Sequence, residues 1–223
     1  VEINNETLKK KGQWPWDRNS LSVEIIKLYQ AGAAIVVLPI LFADDDRLGK
    51  DKVLARTLKR TPTIIGQVPV NEAGYSGVTR GVAIIGKSWK GWVYQYLGAV
   101  GPIPLLARNA HAVGMMIISP EKDGVIRRMP LVIAVGDKLY PSMSMEILRM
   151  AAGDISYQMK VGVAGVEKLR IPKFKMIDTD VHGNIWLDFK WRTPTYAMHE
   201  KLPDLTGKIV LVSLTASGLD SPV

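Results

Sequence analysis

The charged and aromatic residues carry most of the chemistry this sequence offers. Asp123-Gly-Val-Ile-Arg127-Arg128-Met-Pro130 is the densest stretch. Asp-Gly makes a tight turn into a strand, and successive arginines on a strand face opposite sides. One guanidinium must then point inward or onto a pocket rim, where it needs a carboxylate or an anionic ligand. The plainer reading is an internal pair with Asp123, Asp46 or Asp51, and removing one partner of a buried pair costs about 3–5 kcal/mol. Trp14 and Trp16 bracket Pro15, which sets a turn and holds the rings apart. The rings suit a stacked ligand or, more simply, a plug over a sheet edge with at least one indole buried on the helix that follows.

Other constellations are weaker. Asp44-Asp-Asp46 and Asp51 could gather on one metal ion, but such a loop is ordinarily solvated, with one Asp capping the next helix. Asp178-Thr-Asp180-Val-His182-Gly183 imitates a calcium loop, yet the fifth position is His and the twelfth is Phe189, where a bidentate Glu is needed. A turn joining strands Lys175–Ile177 and Ile185–Phe189 accounts for it. No phosphate loop and no dinucleotide fingerprint is present. Gly74-Tyr-Ser-Gly77 misses the nucleophile elbow by one position, so serine catalysis is not expected. With no cysteine, disulfides, thiolate metal sites and cysteine nucleophiles are excluded. The net charge of +8 is spread along the chain without a basic arm, which argues against nucleic acid and fits a solvated basic surface or an anionic partner.

These residues need a scaffold. The chain has 223 residues, 47% of them apolar, enough to bury a full core. The longest apolar run, Ala31 to Ala43, is broken by Pro39 and falls short of the roughly 20 residues of a membrane span. The start at Val1 suggests a fragment of a longer protein. Val1–Ile3 reads as the end of a strand, Lys9 to Gly12 as a polar loop. A helix capped by Asn19 or Ser20 follows, with Leu21, Ile25, Leu28 and Tyr29 on one face and a stop at Gly32. Ala33–Leu38 is a buried strand, and the three elements read as a βαβ unit with a parallel pair. A helix over Lys50–Lys59 and a strand over Thr63–Val68 come next.

Residues 69–101, rich in glycine, read as one long loop. Pro104–Ala112 reads as a helix, Met115–Ile118 as a strand, and Val125–Val135 as a strand interrupted at Pro130. A helix started by Pro141-Ser142 runs to Gly153. Short strands Met159–Val163, Val166–Ile171, Lys175–Ile177 and Ile185–Phe189, then a buried strand Lys208–Leu214, complete the chain. The fold class expected is α/β: a twisted, mixed, largely parallel sheet flanked by helices, with a β-rich extension over about 156–190. No linker marks a boundary, so one domain over 1–223 is expected.

Several pieces, taken in order, resemble a known family. They are Gly12-x-Trp-Pro-Trp-x-Arg18, the helix ending Ala-Gly32-Ala, Ile40-Leu-Phe42, Asp46 with Asp51-x-x-Leu-Ala55, Asp123-Gly-Val-Ile-Arg-Arg-x-Pro-Leu131, Tyr140-Pro-Ser142, Gly207-Lys-Ile-Val-Leu211, Thr215-Ala216 and Asp220. The set resembles the CHASE domain of type two, a cyclase- and histidine-kinase-associated extracellular sensory domain. The resemblance implies a bacterial receptor ectodomain outside the cytoplasmic membrane, flanked by membrane helices. Its outputs would be cyclases, histidine kinases, diguanylate cyclases or protein kinases. It implies a sensor, not an enzyme, without cofactor.

There are departures. Asn4 and Pro39 stand where relatives carry acids, Ser213 replaces a Gly, and Ser221-Pro222 replaces a Thr-Pro segment. Ile3 and Leu38 are expected at the carboxyl ends of neighbouring parallel strands, where open sheets bind ligands. With Asn4 and Pro39 there, no divalent metal and a neutral to electropositive pocket are expected. The candidate ligand-binding residues are Trp14, Trp16, Arg18, Asp46, Asp51, Asp123, Arg127, Arg128 and Tyr140. The expected partners are a small molecule or envelope component, the membrane through flanking helices, and a second copy of the chain, but no nucleic acid. A purely structural or dimerisation ectodomain is the rival reading; it predicts a sheet end closed by Trp14, Trp16 and side-chain pairs.

Overall fold

The structure is a computed structural model that describes residues 1–118 and 120–218. Asp220 and the Ser221-Pro222 segment lie outside the described residues. The elements begin with β1 (Glu2–Ile3), α1 (Asn5–Lys11), α2 (Arg18–Gln30), β2 (Ile35–Leu41), α3 (Asp51–Arg60) and β3 (Thr63–Val70). Next come β4 (Ala83–Gly86), β5 (Gln95–Tyr96), β6 (Gly98–Val100), α4 (Pro104–Asn109) and β7 (Ala112–Met115). Then follow β8 (Arg128–Pro130), β9 (Val132–Val135), β10 (Lys138–Pro141) and α5 (Met143–Ala151). The last are β11 (Gln158–Gly162), β12 (Gly165–Ile171), β13 (Lys175–Asp178), β14 (Asn184–Trp186), β15 (Ile209–Leu211) and β16 (Ser213–Leu214). The class is mixed α/β, as expected, with several small sheets in place of one.

The chain packs into two compact units. The first comprises Val1–Ile65, Pro102–Ala112 and 192–218; the second comprises Gly66–Gly101 and Val113–Trp191. In the first unit β2 is central, and its buried Ile35, Val36, Val37 and Leu38 form the unbroken apolar run of a strand covered on both faces. β15 lies parallel beside it, with Val210 opposite Val36, and β16 lies parallel to β1. The terminal strand therefore sits between β1 and β2. This corrects the expected βαβ pair: Ile3 and Leu38 are not on neighbouring strands.

Helix α2 buries Leu21, Ile25 and Leu28 along one face. Its cap is Asp17, whose carboxylate accepts from the amides of Asn19 and Ser20, so neither Asn19 nor Ser20 is the cap. Its end is tied off at Gly32 (φ 101°), where a Cβ would lie 2.7 Å from the Thr206 backbone nitrogen. Lys9 to Lys11 close α1 rather than forming a loop, because Asn4 caps that helix through Thr7.

The second unit is richer in strands. β11 and β12 form an antiparallel hairpin, extended by antiparallel β13 on one edge and parallel β4 on the other. β9 pairs antiparallel with β10 and parallel with β5. Their core gathers Leu131, Val132, Ala134, Leu139, Met145, Tyr157, Met159, Val161, Val166, Leu169 and Ile171. Residues 69–101 thus contribute three short strands where one loop was expected. β13 and β14 were expected to pair across the Asp178–Gly183 turn, but β14 pairs with β8.

Candidate functional site

The sequence-predicted residues fall into two groups, one in each unit. In the first unit, a cleft of ≈ 770 Å³ at the carboxyl end of β2 is lined by Trp16, Arg18 and Asp46 among others. Trp16 is buried and its indole N–H donates to the Gly12 carbonyl at 3.0 Å. Trp14 meets it edge to face, with ring centroids 5.6 Å apart, so Pro15 brings the rings together rather than holding them apart.

Arg18 donates to Asp51 at 3.1 Å and to the Asp44 carbonyl at 2.9 Å, with its guanidinium 4.6 Å from the centre of the Phe42 ring. The second oxygen of Asp51 accepts from the Asp46 amide, and Asp46 accepts from the Lys50 amide. Each of these predicted side chains is already engaged by the protein, so they build the loop that follows β2. Four acids (Asp17 and Asp44 to Asp46) against three bases (Lys11, Arg18 and Arg47) line the cleft. The expected neutral to electropositive edge is corrected accordingly.

In the second unit Asp123, Arg127 and Arg128 do come together, though not with Asp46 or Asp51. Arg127 reaches Glu121 at 3.2 Å and Asp123 at 2.8 Å. Arg128 reaches Glu121 at 3.0 Å and Asp180 at 3.0 Å. Neither is buried: the side chains are 40% and 35% exposed. Strand geometry does not separate them, because β8 starts only at Arg128, and both guanidiniums converge on Glu121. The hydrogen bond from Arg127 holds the Asp123 carboxyl below its usual range, and Glu121 raises Arg128 in turn. Burial alone would raise the Asp180 carboxyl, but bonds from Asn184, His182 and Arg128 outweigh it and hold it low. Tyr140 belongs to neither group. It is buried with Ala99, Met115, Ile117, Ile133 and Val135, and burial raises its hydroxyl pKa.

A second cleft, ≈ 680 Å³, is lined by Tyr94, Pro120, Glu121, Lys122, Asp123, Arg128 and Asn184. Asn184 is 3% exposed. Its Nδ2 donates to Asp180 at 2.9 Å and to the Tyr94 hydroxyl at 3.4 Å. The Asp180 carboxylate can only accept, which sets the amide's orientation. Asn184 Oδ1 is then a buried acceptor with no donor among the described residues. Leaving such an atom unpaired costs about 1–3 kcal/mol, which a ligand's donor or a water can recover. Sequence reasoning missed Glu121, Tyr94, Asp180 and Asn184. Asp180 lies in the turn expected over Asp178–Gly183, where its Oδ1 accepts from the amides of His182 and Asn184. The available signal was acidic Glu121 close to two arginines.

Among the described residues no group of three or more His, Cys, Asp or Glu side chains gathers to hold a metal. No helix there is long and apolar enough to cross a membrane. The second cleft is thus lined by paired Glu121, Asp123 and Arg128, the buried amide of Asn184 and the side chain of Lys122.

The two clefts are set in a mixed α/β chain. The family model of the CHASE2 domain matches residues 1–223, the whole chain, and the protein belongs to that family of extracellular sensory domains found in signalling receptors. Searches of curated proteins and of solved structures return no match.

Proposed function

We propose that this chain is the extracytoplasmic sensing portion of a bacterial transmembrane receptor. Its cytoplasmic output would be a cyclase, histidine kinase, diguanylate cyclase or protein kinase. The family match over residues 1–223 carries the reading. The stimulus is a small polar molecule or an envelope component that enters the cleft of the second unit and donates a hydrogen bond to Asn184 Oδ1. Binding there shifts the receptor only as far as its affinity differs between two arrangements. On this reading the chain carries no catalytic step and works as a homodimer.

One observation favours the rival, a structural ectodomain: in the first unit the predicted residues Trp16, Arg18, Asp46 and Asp51 are taken up by internal contacts. Output activity of the intact receptor in membranes separates the two. Lys122→Trp puts a bulky group at the mouth of the cleft and stands in for an occupant. The sensory reading expects it to change output, while Ile155→Trp, at an 81% exposed position that does not line the cleft, leaves output unchanged. Unchanged output from Lys122→Trp supports the structural reading.

A further inference from the structure

The three most exposed aromatics among the described residues lie in one short segment. The chain has six tryptophans and three phenylalanines. Trp186, Phe189 and Trp191, within six residues of one another, are 69%, 73% and 84% exposed. By contrast Trp16, Trp89 and Phe42 are buried. An aromatic side chain can bury about 150–250 Å², so leaving three in water forgoes a large gain unless something covers them.

Local structure holds the cluster out. Trp186 ends β14, the Asp188 carboxylate accepts from the Lys190 amide at 3.0 Å, and that turn carries Phe189 and Lys190 at its tip. Trp186 is backed by Arg128, whose guanidinium lies 5.3 Å from the ring centre. Lys190 and Arg192 alternate with the aromatics and make no ion pair among the described residues. None of the three aromatics lines the second-unit cleft.

We infer that the Trp186–Arg192 segment docks on the surface of an anionic lipid bilayer. Three properties select that occupant. Tryptophan is favoured where a membrane meets water, its ring apolar and its N–H wet. Unpaired Lys190 and Arg192 complement anionic headgroups. Lysine is depleted at the cores of protein–protein interfaces, which counts against a protein partner. The family to which the chain belongs consists of extracellular domains of receptors, so a bilayer is at hand. The proposal does not depend on any ligand of the cleft. Docking would hold Trp186 against the membrane, and through Arg128 this reaches the Glu121–Asp180 network.

The test is co-sedimentation of the chain with vesicles of phosphatidylcholine alone or mixed with phosphatidylglycerol, followed also by tryptophan emission. Binding to the mixed vesicles is expected, with a blue shift, weakening with salt and largely lost on phosphatidylcholine alone. Lys190→Ala should weaken it about fivefold. Phe189→Ser with Trp191→Ser should weaken it at least about tenfold, with unchanged melting because both side chains are exposed. Lys59→Ala, an exposed lysine on α3, should leave it unchanged. The proposal is overturned by absence of binding to mixed vesicles, by full binding of the double variant, or by an equal loss in Lys59→Ala. It is also overturned if the chain dimerises without vesicles and the double variant abolishes that dimer, since the patch is then a self-association face.

Discussion

Arg149 is the buried arginine of this protein, and removing it should be costly. Its side chain is 6% exposed and that of Glu146, one turn earlier on α5, is 2% exposed. Arg149 donates to Glu146 through Nε at 2.9 Å and Nη2 at 2.8 Å, to the Tyr157 hydroxyl at 3.1 Å and to the Asp154 carbonyl at 2.7 Å. Burial and the Glu146 carboxylate push the Tyr157 hydroxyl far above its ordinary pKa, so Tyr157 stays protonated. Arg149→Ala would leave the Glu146 carboxylate buried without its counter-charge, strip a donor from Tyr157 and orphan the Asp154 carbonyl. Breaking such a pair costs about 3–5 kcal/mol. For a chain of this length each kcal/mol moves Tm by about 2–4 °C, so the expected drop is about 6–20 °C. Replacing both partners, as Glu146→Leu with Arg149→Met, should recover most of the loss, because no charge is then stranded. Urea unfolding of both singles and the double completes the cycle. A single variant within about 1 kcal/mol of wild type, or a double variant worse than the sum of the singles, would refute the reasoning.

Arg127→Ala and Arg128→Ala should each shift Tm by less than about 3 °C, since their ion pairs are solvent-screened; a loss like that of Arg149→Ala would show the exposures to be wrong. Asp180 has a lowered pKa in the folded protein, so its stabilisation is present above the unfolded carboxylate pKa and is lost as pH falls through the folded value. Acid unfolding below about pH 4 should therefore be shallower in Asp180→Asn than in wild type. Gly114→Ala would place a Cβ 2.5 Å from the Met143 Cα, and should cost about 1–3 kcal/mol by denaturant melting.

Sequence pattern made α2, α3 and the buried strand β2 of the first unit legible, while α1 was read as a loop. The 3.6 period of Leu21, Ile25 and Leu28 and the apolar run of β2 are local signals, and Ser142 as the cap of α5 is another. Pairing was not legible. The insertion of β15 and β16 between β1 and β2 joins residues about two hundred positions apart, and nothing in either segment marks the partner. Within 69–101, all four residues of β4 are exposed, so it lacks the alternation that marks a half-buried strand.

The candidate site was half visible. Asp123, Arg127 and Arg128 were found because charge on a strand demands a partner. Asn184 was not, because a single amide becomes notable only when burial leaves its oxygen without a donor. The guanidinium expected inside at 127 or 128 is instead Arg149, whose i, i+3 spacing from Glu146 on an apolar helix was the readable sign.

Where the chain resides is the central claim, and a cysteine placed in it allows a direct measurement. Val163→Cys introduces a thiol at a position 87% exposed, in a chain that has none of its own. In intact cells producing the whole receptor, a small membrane-impermeant maleimide should label this variant above the level of the parent receptor, and as fully before lysis as after it. Labelling only after lysis would place the chain on the cytoplasmic side and contradict the account.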